Sequence, residues 1–184
     1  MSTKYRFTNH DQIYFITATT VDWVDVFTRN IYKDILIDSF RYCQVHQGLH
    51  IHAWVLMTNH FHMICSFNEE RNPGTVIKNI KSFTAIRIID KIINNDRESR
   101  KNWMLDVFEI HGKKNKSNFR FQFWQTENHP IIIDDALTMK QRIDYIHDNP
   151  VKAGFVSSPE EWVYGSGVDY YTSNRKGLLR IDRL

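Results

Sequence analysis

Two histidines one residue apart, His60 and His62, stand inside the apolar run Met57-Thr-Asn-His-Phe-His-Met-Ile-Cys-Ser66. Such a run reads as a β-strand, and side chains two apart on a strand point to the same face. Two imidazoles held side by side can share one divalent ion and leave its other coordination positions to water or substrate. Phe61, between them, points the opposite way into a core. Taken alone, the pair is equally well read as two histidines on a wet sheet face. Tyr145 and Asn149 tip the balance. A helix is expected from Asp134 to about Asp148, capped by Asp134 or Asp135 and ended by Pro150. Its apolar stripe is Ala136, Met139, Ile143 and Ile146. At about 100° per residue, Tyr145 lies roughly 140° from the centre of that stripe. Asn149 follows one turn later, near the same line, as does Gln141. The tyrosine points away from the face that anchors its helix.

A tyrosine hydroxyl, with a pKa of about 10, is a poor nucleophile at neutral pH. It becomes useful where a metal polarises the electrophile. An ion on His60 and His62 can bind a phosphodiester oxygen and orient the phosphate toward Tyr145, with the Asn149 carbonyl as a third ligand. Amide oxygens suit hard ions such as magnesium or manganese. The product of that chemistry is a phosphotyrosine link between protein and nucleic acid, which a later strand can reverse without ATP.

The surrounding chain sets bounds on these groups. With 184 residues it has room for one domain with a full core. Its net charge is only +3, yet the cations are clustered: Lys78, Lys81, Arg87 and Lys91 on one expected helix, Arg97, Arg100 and Lys101 after it, then Lys113, Lys114, Lys116 and Arg120. Clusters of this kind suit a polyanion, although each taken singly is also what a solvated face looks like. Lys152, just past the tyrosine helix, is a further phosphate-binding candidate. Cys43 and Cys65 read as small core residues in a reducing compartment. No signal peptide and no membrane span is visible, so a cytoplasmic, nucleoid-associated protein is expected.

Strands are expected at Tyr14–Thr20, His50–Met57, His60–Phe67 and Phe119–Gln125, and helices at Asn30–Gln47, stopped by Gly48, and at Thr75 to about Asn94. The expected buried stripes are Ile31, Ile35 and Tyr42, with Leu36 and Cys43 beside them, in the first helix. In the second they are Val76, Ile80, Phe83, Ile89 and Ile93. Residues 95 to 118 look polar and loop-like except for a short apolar piece at Trp103–Phe108. The order β-α-β-β-α-β gives an α+β, ferredoxin-like antiparallel sheet with both helices on one face. The other face stays open for His60 and His62. The core then covers about 12–125, the tyrosine helix about 134–149 and a C-terminal tail 150–184, all within one domain. His50 and His52, a second His-x-His, read as mainly structural, and Phe123 and Trp124 as core.

In its motifs the chain resembles the REP-associated tyrosine transposases, part of the single-tyrosine HUH transposase superfamily of bacterial insertion sequences. The resemblance rests on Met57-Thr-Asn-His-Phe-His, on Tyr145-Ile-His-Asp-Asn-Pro-Val-Lys-Ala-Gly154, on Phe123-Trp-Gln125 and on Pro159-Glu-Glu-Trp-Val-Tyr-Gly-Ser-Gly-Val-Asp-Tyr170. It runs from about Tyr14 to the C-terminus. It implies nicking and joining of single-stranded DNA beside small hairpins, such as REP-like palindromes. Tyr145 would be the nucleophile, leaving a 5′-phosphotyrosine and a free 3′-OH, and His60, His62 and Asn149 would ligate the metal. Relatives often carry Gln at the position of Asn149, and Ser and Ala at those of Gly165 and Gly167. Monomers and homodimers both occur in such proteins.

Three other functions compete with this one. A DNA-hairpin-binding protein without transposition would need neither the tyrosine nor the histidines, and all three are intact. A metal hydrolase using water needs an acidic group beside the pair, and no Asp or Glu lies between residues 39 and 68. Replication initiators and conjugative relaxases of the same superfamily commonly carry extra domains, for which this chain has no room.

Overall fold

Strand β1 (Ile13–Thr19) alternates Tyr14, Ile16 and Ala18 on one face with Phe15, Thr17 and Thr19 on the other, and that alternation gives the sheet two different surfaces. The computed structural model describes Phe7 and residues 11–115, 120–127 and 130–183. Within them β1, β2 (Leu49–Leu56), β3 (His60–Phe67) and β4 (Ile131–Ile133) form a four-stranded antiparallel sheet in the order β2-β3-β1-β4. This is the strand order of a split βαβ fold, as expected. β2 and β3 are joined by a tight turn at Thr58-Asn59, closed by the Met57 N–H donating to the His60 carbonyl at 2.8 Å.

Helices α1 (Asn30–His46) and α2 (Pro73–Ile93) cover the face that carries Tyr14, Ile16, Ala18, Phe61, Met63 and Cys65. Gly48, at φ 65°, turns the chain out of α1 into β2 in the left-handed region that glycine enters without penalty. Asn72 caps α2 by accepting from the Thr75 N–H. The buried face of α1 is Tyr32, Leu36, Ile37, Phe40 and Cys43, rotated from the expected stripe, so Ile31 and Tyr42 are exposed. In α2, Phe83 and Ile93 are likewise exposed, while Val76, Ile80 and Ile89 are buried. Both cysteines are buried and unpaired.

Two elements depart from expectation. The stretch taken for a polar loop contains α3 (Lys101–Lys114), with Met104 and Phe108 buried one turn apart. The segment taken for the fourth strand is not one: its described part, 120–125, contributes a single bridge, Trp124 to Thr20. Its aromatic residues serve packing instead, with Phe123 and Trp124 set among Phe27, Phe61 and Phe108. Phe119 lies outside the described residues. The actual β4 is three isoleucines paired to the outer edge of β1.

The second sheet face is covered by α4 (Ala136–Lys152), whose Met139, Ile143 and Ile146 pack on Phe15, Val55, Ile64 and Ile133. Asp135 caps it through the Thr138 N–H. The helix does not stop at Pro150. It runs one residue pair further and ends where Gly154 adopts φ 74°, because the proline costs only its own missing donor in a last turn that is otherwise bonded. The tail then returns along β2. Ser166 donates its N–H to the Trp54 carbonyl at 2.9 Å, and the Asp182 N–H reaches the Ile51 carbonyl at 2.9 Å. Between these contacts lies the short α5 (Gly167–Tyr171). A bulge between Ile51 and Ala53 shifts the phase of β2. His50 and His52 face this tail: His50 bonds Asp182 and Asn68, His52 bonds Ser66 and the Asp182 carbonyl. They are structural, as read from sequence. No helix among the described residues is long and apolar enough to cross a membrane.

Candidate active site

The β1–β3 register places Thr17 opposite His62 and Thr19 opposite His60. Both imidazoles therefore emerge on the α4 face, with ring centroids 4.8 Å apart. Each has its Nδ1 side occupied. Asn59 Oδ1 lies 2.6 Å from His60 Nδ1. The Asn59 amide donates its N–H groups to the Trp23 carbonyl and the Asp25 carboxylate, which fixes which end faces the histidine. A carbonyl oxygen only accepts, so His60 carries its proton on Nδ1 and has its lone pair on Nε2. Thr17 Oγ1 is 2.7 Å from His62 Nδ1. With Nδ1–H donating to that hydroxyl, Nε2 of His62 accepts from the Tyr145 hydroxyl 3.3 Å away.

Burial holds both imidazoles below the usual histidine range. For His60 the Asp25 charge opposes the effect in part. For His62 the neighbouring His60 and Arg142 add to it, and its pKa falls to about 3. Neutral rings with Nε2 lone pairs and outer-shell partners on Nδ1 are the form in which histidine ligates a metal.

Tyr145 is 41% exposed, and its ring packs on the site. The ring meets His62 at 5.1 Å and Phe15 at 6.0 Å, edge-on to each. Phe15 in turn stacks on His62 at 5.4 Å. Arg142, one turn before Tyr145, lies with its guanidinium 4.9 Å from the Phe15 ring centre. Asn149 is one turn beyond Tyr145, half-buried, and its side-chain amide bonds no described residue. His147, buried on the helix's far side, bonds the Ser166 hydroxyl at 2.8 Å, and that hydroxyl also accepts from the Trp54 N–H. This chain of contacts fixes α4 against β2. Among the described residues no group of three His, Cys, Asp or Glu could hold a metal.

The structure thus brings together His60, His62 and Tyr145. The cations are placed elsewhere. Lys81 lies along α2, on the other side of the sheet, with its ammonium donating to the Gln125 carbonyl and its pKa pushed down to about 8 by burial. Arg87 is exposed on the same helix. Lys113 pairs with Glu109, Lys114 is exposed at the end of α3, and Arg120 lies over Phe121. Lys116 falls outside the described residues. Lys152 sits at the end of α4, paired with Asp148 at 3.4 Å. Sequence reasoning missed Thr17, Asn59, Asp25, Phe15 and Arg142. The period-two pattern of β1 puts Phe15 and Thr17 on one face, but only the register joins them to His62. Arg142 was legible, three residues before Tyr145 on one helix.

The family model for IS200-like transposases matches residues 8–149, from before β1 through Asn149. A solved structure of a REP-associated tyrosine transposase bound to a REP hairpin aligns with a TM-score of 0.64 at 19% identity, over 92% of this chain and 84% of that one. A second solved structure, from Deinococcus radiodurans R1, aligns more loosely, with a TM-score of 0.45 at 18% identity over 80% of this chain and 97% of that one. No curated protein matches the chain in sequence. With more than half its length matched by that family model, the chain belongs to the IS200-like transposases.

Proposed function

We propose that the protein nicks and joins single-stranded DNA beside hairpin-forming repeats, through a covalent 5′-phosphotyrosine on Tyr145. The observation that carries this reading is the Tyr145 hydroxyl 3.3 Å from Nε2 of a buried, neutral His62, with His60 alongside. A water-activating hydrolase has no reason to place a phenol there. The hairpin in the related structure supports the choice of substrate.

The donor set fits a divalent magnesium or manganese ion: two Nε2 lone pairs on one strand face, that of His62 freed when the Tyr145 hydroxyl turns to the phosphate, each ring oriented by a partner on Nδ1, and the Asn149 amide oxygen on the neighbouring helix. When bound, such an ion supplies Lewis-acid polarisation of the phosphate. The chain's own groups do the rest. Phe15 and His62 hold the Tyr145 ring in place. Arg142 offers planar donors to a non-bridging phosphate oxygen. The Tyr145 oxygen attacks phosphorus, the bond to O3′ breaks, and the 3′ oxygen leaves and takes up a proton as the phenolic proton passes to solvent. In reverse, a 3′-OH attacks the phosphotyrosine and Tyr145 departs, so no energy source is needed.

The test uses single strands drawn from palindromic repeats flanking the protein's own gene, with magnesium or manganese. We expect a protein–DNA adduct that survives denaturation, mapped to Tyr145 by mass spectrometry. Tyr145→Phe should abolish it while leaving folding and DNA binding unchanged. Binding without any adduct would leave a hairpin-binding protein, and an adduct on Tyr170 or Tyr171 would overturn the choice of nucleophile.

A further inference from the structure

Trp23 is 59% exposed, an unusual state for the largest apolar side chain, and its ring stands edge-on to His60 with centroids 5.9 Å apart. It is also held in an unfavourable backbone. Asp22 and Trp23 are consecutive non-glycine residues with φ of 48° and 55°, in the left-handed region that costs side-chain-bearing residues about 1 kcal/mol or more each. Several bonds enforce that turn. The Thr20 hydroxyl donates to the Val24 carbonyl at 2.9 Å, the Trp23 carbonyl accepts from Asn59, and Asp22 Oδ1 lies 2.9 Å from His111 Nε2 on α3. The fold therefore sustains local strain in order to present an indole to solvent beside the histidine pair. Asn59, which orients His60, grips the same turn.

We propose that Trp23 is a stacking platform for an unpaired nucleobase next to the phosphate held at His60 and His62. The inference rests on the proposed function insofar as a single strand must pass the histidine pair. An aromatic face suits any base, since every base has a π-face, and stacking contributes about 1–3 kcal/mol per base. It also explains why the ligand is a single strand: in a duplex the neighbouring base is stacked within the helix and cannot meet the indole. With the indole 5.9 Å from the His60 ring, a phosphate at the pair leaves an adjacent base within reach of Trp23.

The test is binding of a fluorescent oligonucleotide, a hairpin with a single-stranded flank, with magnesium present and read before any strand is cut, with abasic nucleotides placed in turn along the flank. Trp23→Ala should weaken binding about tenfold, while Trp23→Phe keeps most of the affinity. At one flank position an abasic nucleotide should weaken the wild type about tenfold and leave Trp23→Ala unaffected, because base and indole are then removed together. The salt dependence should stay the same in both proteins, which a loss of cationic contacts would not permit. Equal binding by Trp23→Ala, or abasic losses that are the same in both proteins at every position, overturns the platform. Should Trp23→Ala unfold, Trp23→Leu against Trp23→Phe decides on the same criteria. A wild type that shows the abasic pattern but forms no adduct overturns the nucleophile and not the platform. Adduct formation with no effect at Trp23 does the reverse.

Discussion

The two faces of one sheet make the clearest comparison in this molecule. On β1 and β3, Tyr14, Ile16, Ala18, Phe61, Met63 and Cys65 point into a continuous core under α1 and α2, each at most 2% exposed. On the alternating positions Phe15, Ile64 and His62 meet a single helix, α4, and the polar Thr17, Thr19 and His60 share their face. The same backbone hydrogen bonds serve both faces. What differs is what each face is asked to do: one is filled by apolar volume, the other holds imidazoles in a set protonation state close to solvent. Phe61, flanked by the two histidines in sequence, belongs wholly to the first face.

The largest effects should come from exchanging these roles. Phe61→Ala removes a fully buried ring from the first face and should cost about 3–5 kcal/mol in denaturant unfolding. His62→Ala should abolish adduct formation, with a loss of stability well below that of Phe61→Ala. A His62→Ala variant as unstable as Phe61→Ala would mean that the second face is also chiefly a core.

Arg142→Gln probes the open face more finely. It removes a guanidinium that meets no described carboxylate, whereas Lys140 and Lys152 on the same helix are paired. Single-turnover adduct formation should slow about 100-fold, as when one donor to a developing charge is deleted, with the melting temperature nearly unchanged. An unaltered rate would reduce Arg142 to packing on Phe15.

Acid should separate the faces as well. His62 in the folded chain has a pKa near 3, below the ordinary 6.5 that it regains on unfolding. Between those values the unfolded chain binds a proton that the folded chain refuses, so stability is complete above about pH 6.5 and is lost as the pH falls. His62→Gln should lower the slope of unfolding free energy between pH 6 and 5 by up to about 1.4 kcal/mol per unit, measured by urea titration. Phe61→Leu should leave that slope alone. His52, His60 and His147 are displaced in the same direction, so a residual slope remains.

The smallest effect concerns the seat of α4. His147→Ala breaks the bond to Ser166 and should cost about 1–2 kcal/mol. Because it lies two residues from Tyr145 but on the helix's other side, it should also slow adduct formation, and His147→Asn should recover part of that rate. Lost stability with an unchanged rate would show that α4 needs no such anchor to position Tyr145.

How much of this was legible in the sequence follows from the range of the interactions. β1, β2, β3, α1 and α2 were readable because their patterns are local and long enough to show a period. β4 has three residues and no period to read. Phe123 and Trp124 were recognised as core, yet their segment was taken for a strand, because aromatic density has the same signature whether it packs in a sheet or against one. α3 was missed although Met104 and Phe108 stand one turn apart; the charged residues around them masked the spacing. At the site, the shared face of His60 and His62 depends only on strand geometry and was legible. Tyr145, expected to point away from the face that anchors its helix, instead lies at the border of that face and packs on His62 and Phe15, because the sheet beneath α4 reaches beyond the helix's apolar stripe. Thr17 and Asp25 reach the histidines through strand register and a loop turn, which no local pattern encodes.

The returning tail has one more consequence. Tyr164 and Ser166 bond the Leu56 and Trp54 end of β2, and Asp182 bonds Ile51 further along. An outer strand normally offers unpaired donors and acceptors to any other chain, and proteins avoid aggregation by covering such borders. Here the molecule's own C-terminal residues occupy that border at both ends. A second copy cannot extend the sheet across β2 without first displacing them.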